Sequence, residues 1–212
     1  MALVLITPPM EEPITLDEAK TDMRVDLEFT DHDAQIAAYI TAARQYAETI
    51  CRRALVTQSW RLTADGFPSP PCAGESYQRN PLTDHPSGWG FKIPLSPLAS
   101  VDLIQYIDLA GNQQDLPAEN YIVDTESEPP RVLSAYSKAW PATRQQINAV
   151  KLTITVGYGD KSKVPAGIKA AILMHCKAHY EASFSDPASS EYERRLRAVD
   201  ALLIPYRVQT FA

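Results

Sequence analysis

The chain has 212 residues, 45% hydrophobic and 22% charged, ordinary values for a globular protein long enough to bury a sizeable core. Its 20 Lys and Arg stand against 26 Asp and Glu, a formal charge of −6, which argues against a chain built mainly to grip nucleic-acid backbone. The 3 cysteines, Cys51, Cys72 and Cys176, form no CxxC pair, so neither a disulfide framework nor a zinc site is expected and a reducing compartment is implied.

The first residues after Met1 form a short apolar run, stopped by Pro8 and Pro9. With no basic leader, it is not read as a signal peptide, and no run along the chain is apolar for long enough to read as a membrane span. Thr15-Leu-Asp-Glu18 is a capping box that predicts a short helix from about Leu16 to Arg24. Asp31 then reads as the N-cap of a second helix. Its stripe of Ile36, Ile40, Ala43, Ala47 and Ile50 keeps helical spacing as far as about Arg53. The polar face of this helix is assigned Arg44, Gln45, Glu48, Arg52 and Arg53.

Proline and glycine mark out the middle. Between Thr57 and Pro165 lie 12 of the 17 prolines and 7 of the 8 glycines, whereas Ile14–Val56 has neither. Strands are predicted at Gln58–Thr63, Phe91–Leu95, Val101–Ile107, Tyr121–Asp124, Arg131–Leu133 and, most strongly, Val150–Val156. Asp108–Asn112 reads as a hairpin turn with Gln114–Leu116 as its return, and Gly157-Tyr-Gly159 as a strand-ending turn. Phe67–Gly90 is expected to be an exposed loop. A third helix begins at Pro165, with Ile168, Ala171, Ile172, His175 and His179 on one face. A fourth carries Tyr192, Leu196, Val199 and Leu203 and ends at Pro205.

No catalytic constellation emerges. His175 and His179 lie four apart, but Cys176 points about 100° away and no HExxH is present. There is no GxSxG, and Gly157-Tyr-Gly159 lacks the third glycine of a dinucleotide loop. Glu193-Arg-Arg-Leu-Arg197 reads as a solvated face. The residues therefore point to an assembly or binding protein that is not an enzyme and needs no cofactor or metal. Two rivals remain: a metal-dependent enzyme using His175 and His179, and a β-module gripping a ligand with Trp60, Trp89 and Trp140. Charge is uneven, because residues 1–33 hold nine acids and two bases.

Several segments occur in a telling order. Ile14-Thr-Leu-Asp-Glu-Ala-Lys20, Met23-Arg-Val-Asp26, Asp31–Ile40, Ala42-Ala43 and Glu48 come first. Arg53, Leu55, Thr57-Gln58 and Trp60 follow, then Trp140-Pro141, Val156-Gly-Tyr-Gly159, Val164-Pro165, Ile168-Lys169 and Ala171-Ile172. In this order they resemble the head–tail connector (adaptor, or head-completion) proteins of tailed bacteriophages. The resemblance implies an α+β fold: a helical bundle built from residues 1–56 and 164–204, a β-rich insertion at 57–163, and an extended tail at 205–212. It implies a structural protein of the virion neck, made in the host cytoplasm, that forms a ring, typically twelve-fold, with another phage neck component such as a stopper or tail terminator as the alternative. Its partners would be the portal protein, a downstream neck or stopper protein, its own copies, and genomic DNA passing without sequence-specific contact; no membrane is involved. Portal docking would fall to Tyr206, Arg207, Val208, Gln209, Thr210 and Phe211. Subunit-interface or channel-facing charges would be Glu11, Glu12, Asp17, Asp22, Arg44, Glu48, Arg52 and Arg53.

Overall fold

Val150–Val156, here β8, alternates between buried and half-buried residues along its whole length, because its β-branched and leucine side chains put one face into a core. In the computed structural model, which describes residues 2–68, 90–184 and 190–208, β8 is the middle strand of a five-stranded antiparallel sheet. β2 (Gln58–Ala64) pairs with it in unbroken register from Gln58↔Val156 to Ala64↔Val150. On its other side lies β4 (Leu98–Ile107), with register shifts between Leu98 and Ser100 and between Val101 and Leu103. β1 (Ala2–Thr7) flanks β2, and β5 (Gln113–Asp115) flanks the end of β4. The Asp108–Asn112 turn closes the β4–β5 hairpin: Gly111 takes φ 95°, and Asp108 accepts the Asn112 N–H at 2.8 Å.

A second sheet of three strands is ordered β3 (Gly90–Lys92), β7 (Arg131–Ser134), β6 (Tyr121–Asp124). The expected strand at Phe91–Leu95 thus stops early, at Lys92, before Pro94. Ser127 Oγ donates to Asp124 Oδ2 at 2.7 Å, and Arg131 donates to the same oxygen from Nε at 3.0 Å and Nη2 at 2.5 Å; together they hold that carboxyl well below the usual range. Phe67 stacks on Trp140 at 4.9 Å, and Phe91 meets the same indole edge-on.

These two sheets make one of two compact units, and β1 belongs to it although the sequence reading grouped residues 1–56 with the helices. The reason is local. Leu3-Val-Leu-Ile6 has strand composition and no helical spacing, and Pro8-Pro9 separate it from the first helix.

The second unit, Pro9–Thr57 with Tyr158–Val208, is helical. α1 (Leu16–Met23) opens with both halves of the capping box in place, and the hydrogen bond from the Thr15 N–H pulls the Glu18 carboxyl below its ordinary value. Arg24 ends it in a left-handed conformation, φ 60°. α2 (Asp33–Cys51) starts one residue later than expected: His32, not Asp31, occupies the N-cap and makes no side-chain cap. A tight turn at Thr30–Asp33, closed by a 3.1 Å hydrogen bond, precludes an earlier start. α3 (Ala166–Ala182) follows Pro165, and α4 (Ser190–Leu203) runs into a single 3-10 turn at Ile204–Tyr206. The core joins Ile36, Ile40, Ala43 and Ala47 of α2 to Ile168, Ala171, Ile172 and Cys176 of α3 and to Val199 and Leu203 of α4. Each fully buried Ile or Leu here contributes about 2–3 kcal/mol. The expected loop at Phe67–Gly90 lies almost wholly outside the described residues.

Candidate interaction surfaces

Three sets of polar groups inside the helical unit decide which charges remain for partners. The first is Lys20. Its spacing with Leu16, Ala19 and Met23 puts it on the apolar side of α1, where it is 1% exposed. Its ammonium donates to the carbonyls of Leu27 at 3.2 Å and Phe29 at 2.9 Å and pairs with Asp33 at 2.5 Å. Lys20 therefore ties the 25–33 connection to both of the helices it joins.

The second set corrects the reading of α2. Arg44 is not on a solvated face but 7% exposed, because it stands four residues after Ile40 and three before Ala47. Its Nε donates to Glu12 at 2.8 Å and its Nη1 to Glu48 at 2.7 Å. Thr41 donates to Glu12 at 2.9 Å, and Glu48 also accepts the Leu55 N–H at 3.0 Å. Glu11 accepts the Lys161 N–H at 3.0 Å. Glu11, Glu12, Arg44 and Glu48 are thus engaged within their own unit, whereas the side chains of Asp17, Asp22 and Arg52 stand exposed.

The third set is aromatic. His175 is 6% exposed, stacks on Tyr46 at 4.8 Å, and lies 4.5 Å from the ring of His179. Tyr46 donates to Asp200 at 2.5 Å, and this raises its own pKa to about 12. Burial pushes His175 down to about 4, and His179 moves the same way. His179 stacks on Tyr39 and meets the Tyr192 hydroxyl at 3.4 Å. Among the described residues no three His, Cys, Asp or Glu side chains come together in a way that could hold a metal ion. Burial likewise raises the Cys51 thiol to about 11, far from a reactive thiolate. The tryptophans do not form one platform: Trp60 donates to its own strand's Gln58 at 3.2 Å, Trp140 packs on Phe67, and Trp89 lies outside the described residues.

The tail does not leave the fold at Pro205. Arg53 Nε donates to the Tyr206 carbonyl at 2.6 Å, and Val208, 4% exposed, donates its N–H to the Cys51 carbonyl at 3.0 Å. Tyr206 covers Gly167, where an added Cβ would meet the phenol oxygen at 2.5 Å. Gly167→Ala is therefore expected to dislodge Tyr206 and cost about 1–3 kcal/mol, read as a lower denaturation midpoint. Of the residues expected to dock, Tyr206 and Val208 are partly or wholly taken up by the chain itself. Arg207 is exposed, and Gln209, Thr210 and Phe211 lie outside the described residues. The signal for this was the apolar Val208, which extends the buried series of α4 beyond the proline.

Comparison with known proteins adds an independent line. Residues 13–74 match the family model of the phage gp6-like head-tail connector proteins. No curated protein is detectably similar in sequence. Among solved structures, a chain from the neck of an empty GTA particle computed with C6 symmetry superposes with TM-score 0.77 at 20% identity, covering 100% of this chain and 98% of the other. A chain from the virion of a native gene transfer agent particle gives TM-score 0.75 at 19% identity over 100% and 98%. One from the neck of a native GTA particle computed with C12 symmetry gives 0.69 at 20% over the same shares. At such identities these likenesses concern the fold alone. The resemblance read from the residues is thereby borne out: residues 13–74 match the model of the phage gp6-like head-tail connector family, on a chain whose whole length shares the fold of a chain from a GTA neck.

Proposed function

We propose that this chain is a structural subunit of the neck of a phage-like particle, a head–tail connector acting by geometry and non-covalent contact rather than by catalysis. Copies would form a ring beneath the portal, extend the DNA channel and present a surface to the next neck protein. The carrying observation is the coincidence of the family match at 13–74 with a fold shared over the full length with chains of rotationally symmetric necks. Two features fit. The buried cations Lys20 and Arg44 are already paired with carboxylates, so neither is left to hold a phosphate of passing DNA. Exposed Asp17 and Asp22 are available to keep a channel wall slippery or to meet a neighbour's basic residues.

Portal attachment is assigned to Arg207 and the residues after Val208. The test is co-sedimentation of the chain with its particle's portal ring. The full chain is expected to saturate near one copy per portal subunit. A chain ending at Val208 should fold normally and lose most of that binding. A chain ending at Ile204 should instead lose about 2–4 kcal/mol of stability, because it sheds a buried valine, a tyrosine and their hydrogen bonds. No binding by the full chain at any salt concentration would turn the assignment to a later neck component, a stopper or terminator.

A further inference from the structure

We infer that β1 is the subunit seam: its open edge adds, as an extra strand, to the open edge of β4 in a second copy. This rests on the ring reading above and names the surface that would build it. β1 pairs with β2 alone, through Ala2↔Thr63, Leu3↔Leu62, Val4↔Arg61, Leu5↔Trp60 and Thr7↔Ser59. Its outer row of backbone N–H and C=O groups therefore has no strand beside it among the described residues. Edge strands of proteins that stay alone are blunted by charge, proline or extreme shortness. Ala2-Leu-Val-Leu-Ile-Thr7 has six residues, no charge and no proline, and its register shift comes only between Leu5 and Thr7. Val4, Leu5 and Ile6 are 50%, 41% and 42% exposed. A run that is apolar on both faces is the composition of a strand buried on both faces. Among the described residues β1 is buried on neither, with Leu3 alone half-buried, so its composition fits a strand with a further neighbour.

The same sheet supplies a fitting partner at its opposite side. β5 covers β4 only at Gln105, Tyr106 and Ile107. From Leu98 to Leu103 the outer edge of β4 carries no strand among the described residues, and Ala99, Ser100 and Asp102 are exposed. That open stretch has the length of β1, and a docked strand would have to follow its two register shifts and pass Asp102. The directions also agree. In the order β1-β2-β8-β4 every neighbour is antiparallel, so β1 and β4 run opposite ways. A copy rotated about an axis along the strands keeps its β1 direction and meets β4 antiparallel, the stronger pairing. Such a contact is head-to-tail and closes into a ring when the rotation divides the circle. The alternative, β1 against β1 about a two-fold axis, would stop at a dimer.

The full chain carrying Val4→Cys and Ala99→Cys together, with the single variants, all in a Cys72→Ser background that leaves only the buried Cys51 and Cys176, tests the seam. After oxidation or a short bis-maleimide, a ladder of dimer, trimer and higher species is expected, while either single variant should give none. A dimer from Val4→Cys alone, or no ladder from the double variant under conditions where wild type forms rings, would overturn the inference. In a second arm, Val4→Lys/Ile6→Lys and the milder Val4→Thr/Ile6→Thr are checked for fold by circular dichroism and then weighed by mass photometry, alone and on the portal ring. Loss of rings by the folded lysine variant, with a smaller loss for threonine, is expected. Rings that persist with lysine overturn the seam and leave the ring reading standing. A wild-type chain that forms no ring, alone or on the portal, overturns the ring reading and the seam with it.

Discussion

Lys20→Ala is expected to destabilise the helical unit by about 3–5 kcal/mol, the range for removing one partner of a buried ion pair. The size follows from what is left behind. Asp33 Oδ1 is buried and loses the cation paired with it, and the Leu27 and Phe29 carbonyls lose their donor. Each buried group left unmet costs about 1–3 kcal/mol, more when charged. A domain of this size should lose more than about 10 °C in Tm. The shared-cause test is the double variant Lys20→Met/Asp33→Leu. It removes both charges and should recover a large part of the loss, because an apolar pair avoids the desolvation that the ion pair bears. Equal Tm values for wild type and Lys20→Ala would show that the ammonium contributes nothing where it sits. The methionine double variant guards against reading a packing defect as electrostatics.

The sequence announced Lys20 more clearly than its residue type suggests. A lysine at the helical spacing of Leu16, Ala19 and Met23 lies on the buried side of α1, and only the prior that lysines stay in water hides it. Arg44 is the same case one helix later, set between Ile40 and Ala47. Both were legible as positions and illegible as environments, because the carbonyls and carboxylates that make burial tolerable arrive from distant residues such as Glu12 and Phe29. The local elements were readable for the converse reason. The capping box of α1, the α2 stripe, the Asp108–Asn112 turn and β8 depend on neighbours within a few residues. Strand partners were not readable: nothing in Leu3-Val-Leu-Ile6 names Gln58–Ala64 as its mate. Docking of the tail was readable only in part. Tyr206 and Phe211 look alike as aromatic anchors, yet the first is committed to Gly167 by a contact that no local pattern encodes. The charges assigned to interfaces divided in the same way. Glu12, Arg44 and Glu48 turned inward together, leaving Asp17, Asp22 and Arg52 at the surface.

Stability of the helical unit is expected to fall as pH drops from about 6.5 to about 4, by as much as about 3 kcal/mol, through His175. The sign comes from burial. In the unfolded chain the imidazole gains its proton near 6.5, whereas in the fold it does so only near 4. Between these values the unfolded state binds a proton that the folded state refuses, so acid favours unfolding. The stability is fully present above the upper value and spent at the lower one. The groups facing His175 set how hard it resists: Tyr46 stacks on it from α2, His179 adjoins it on α3 and disfavours a second positive charge, and Asp200 on α4 pulls the other way. His179 shifts in the same direction and steepens the slope. Asp124 belongs to the other unit and begins to matter only below the ordinary carboxylate value of 3.8, outside this window. His175→Phe is the informative variant. It keeps a ring against Tyr46, removes an Nδ1 that meets no hydrogen-bond partner among the described residues, and abolishes the titration. Denaturant midpoints at pH 7 and pH 4.5 should diverge for wild type and draw much closer together for the phenylalanine variant, with His179 and, toward the lower pH, the depressed carboxyls of Glu18 and Glu191 supplying what slope remains. An equal pH dependence in both proteins would mean that His175 takes up its proton in the fold at the same pH as in the unfolded chain, and that the aromatic stack between α2 and α3 tolerates the charge that burial is here argued to exclude.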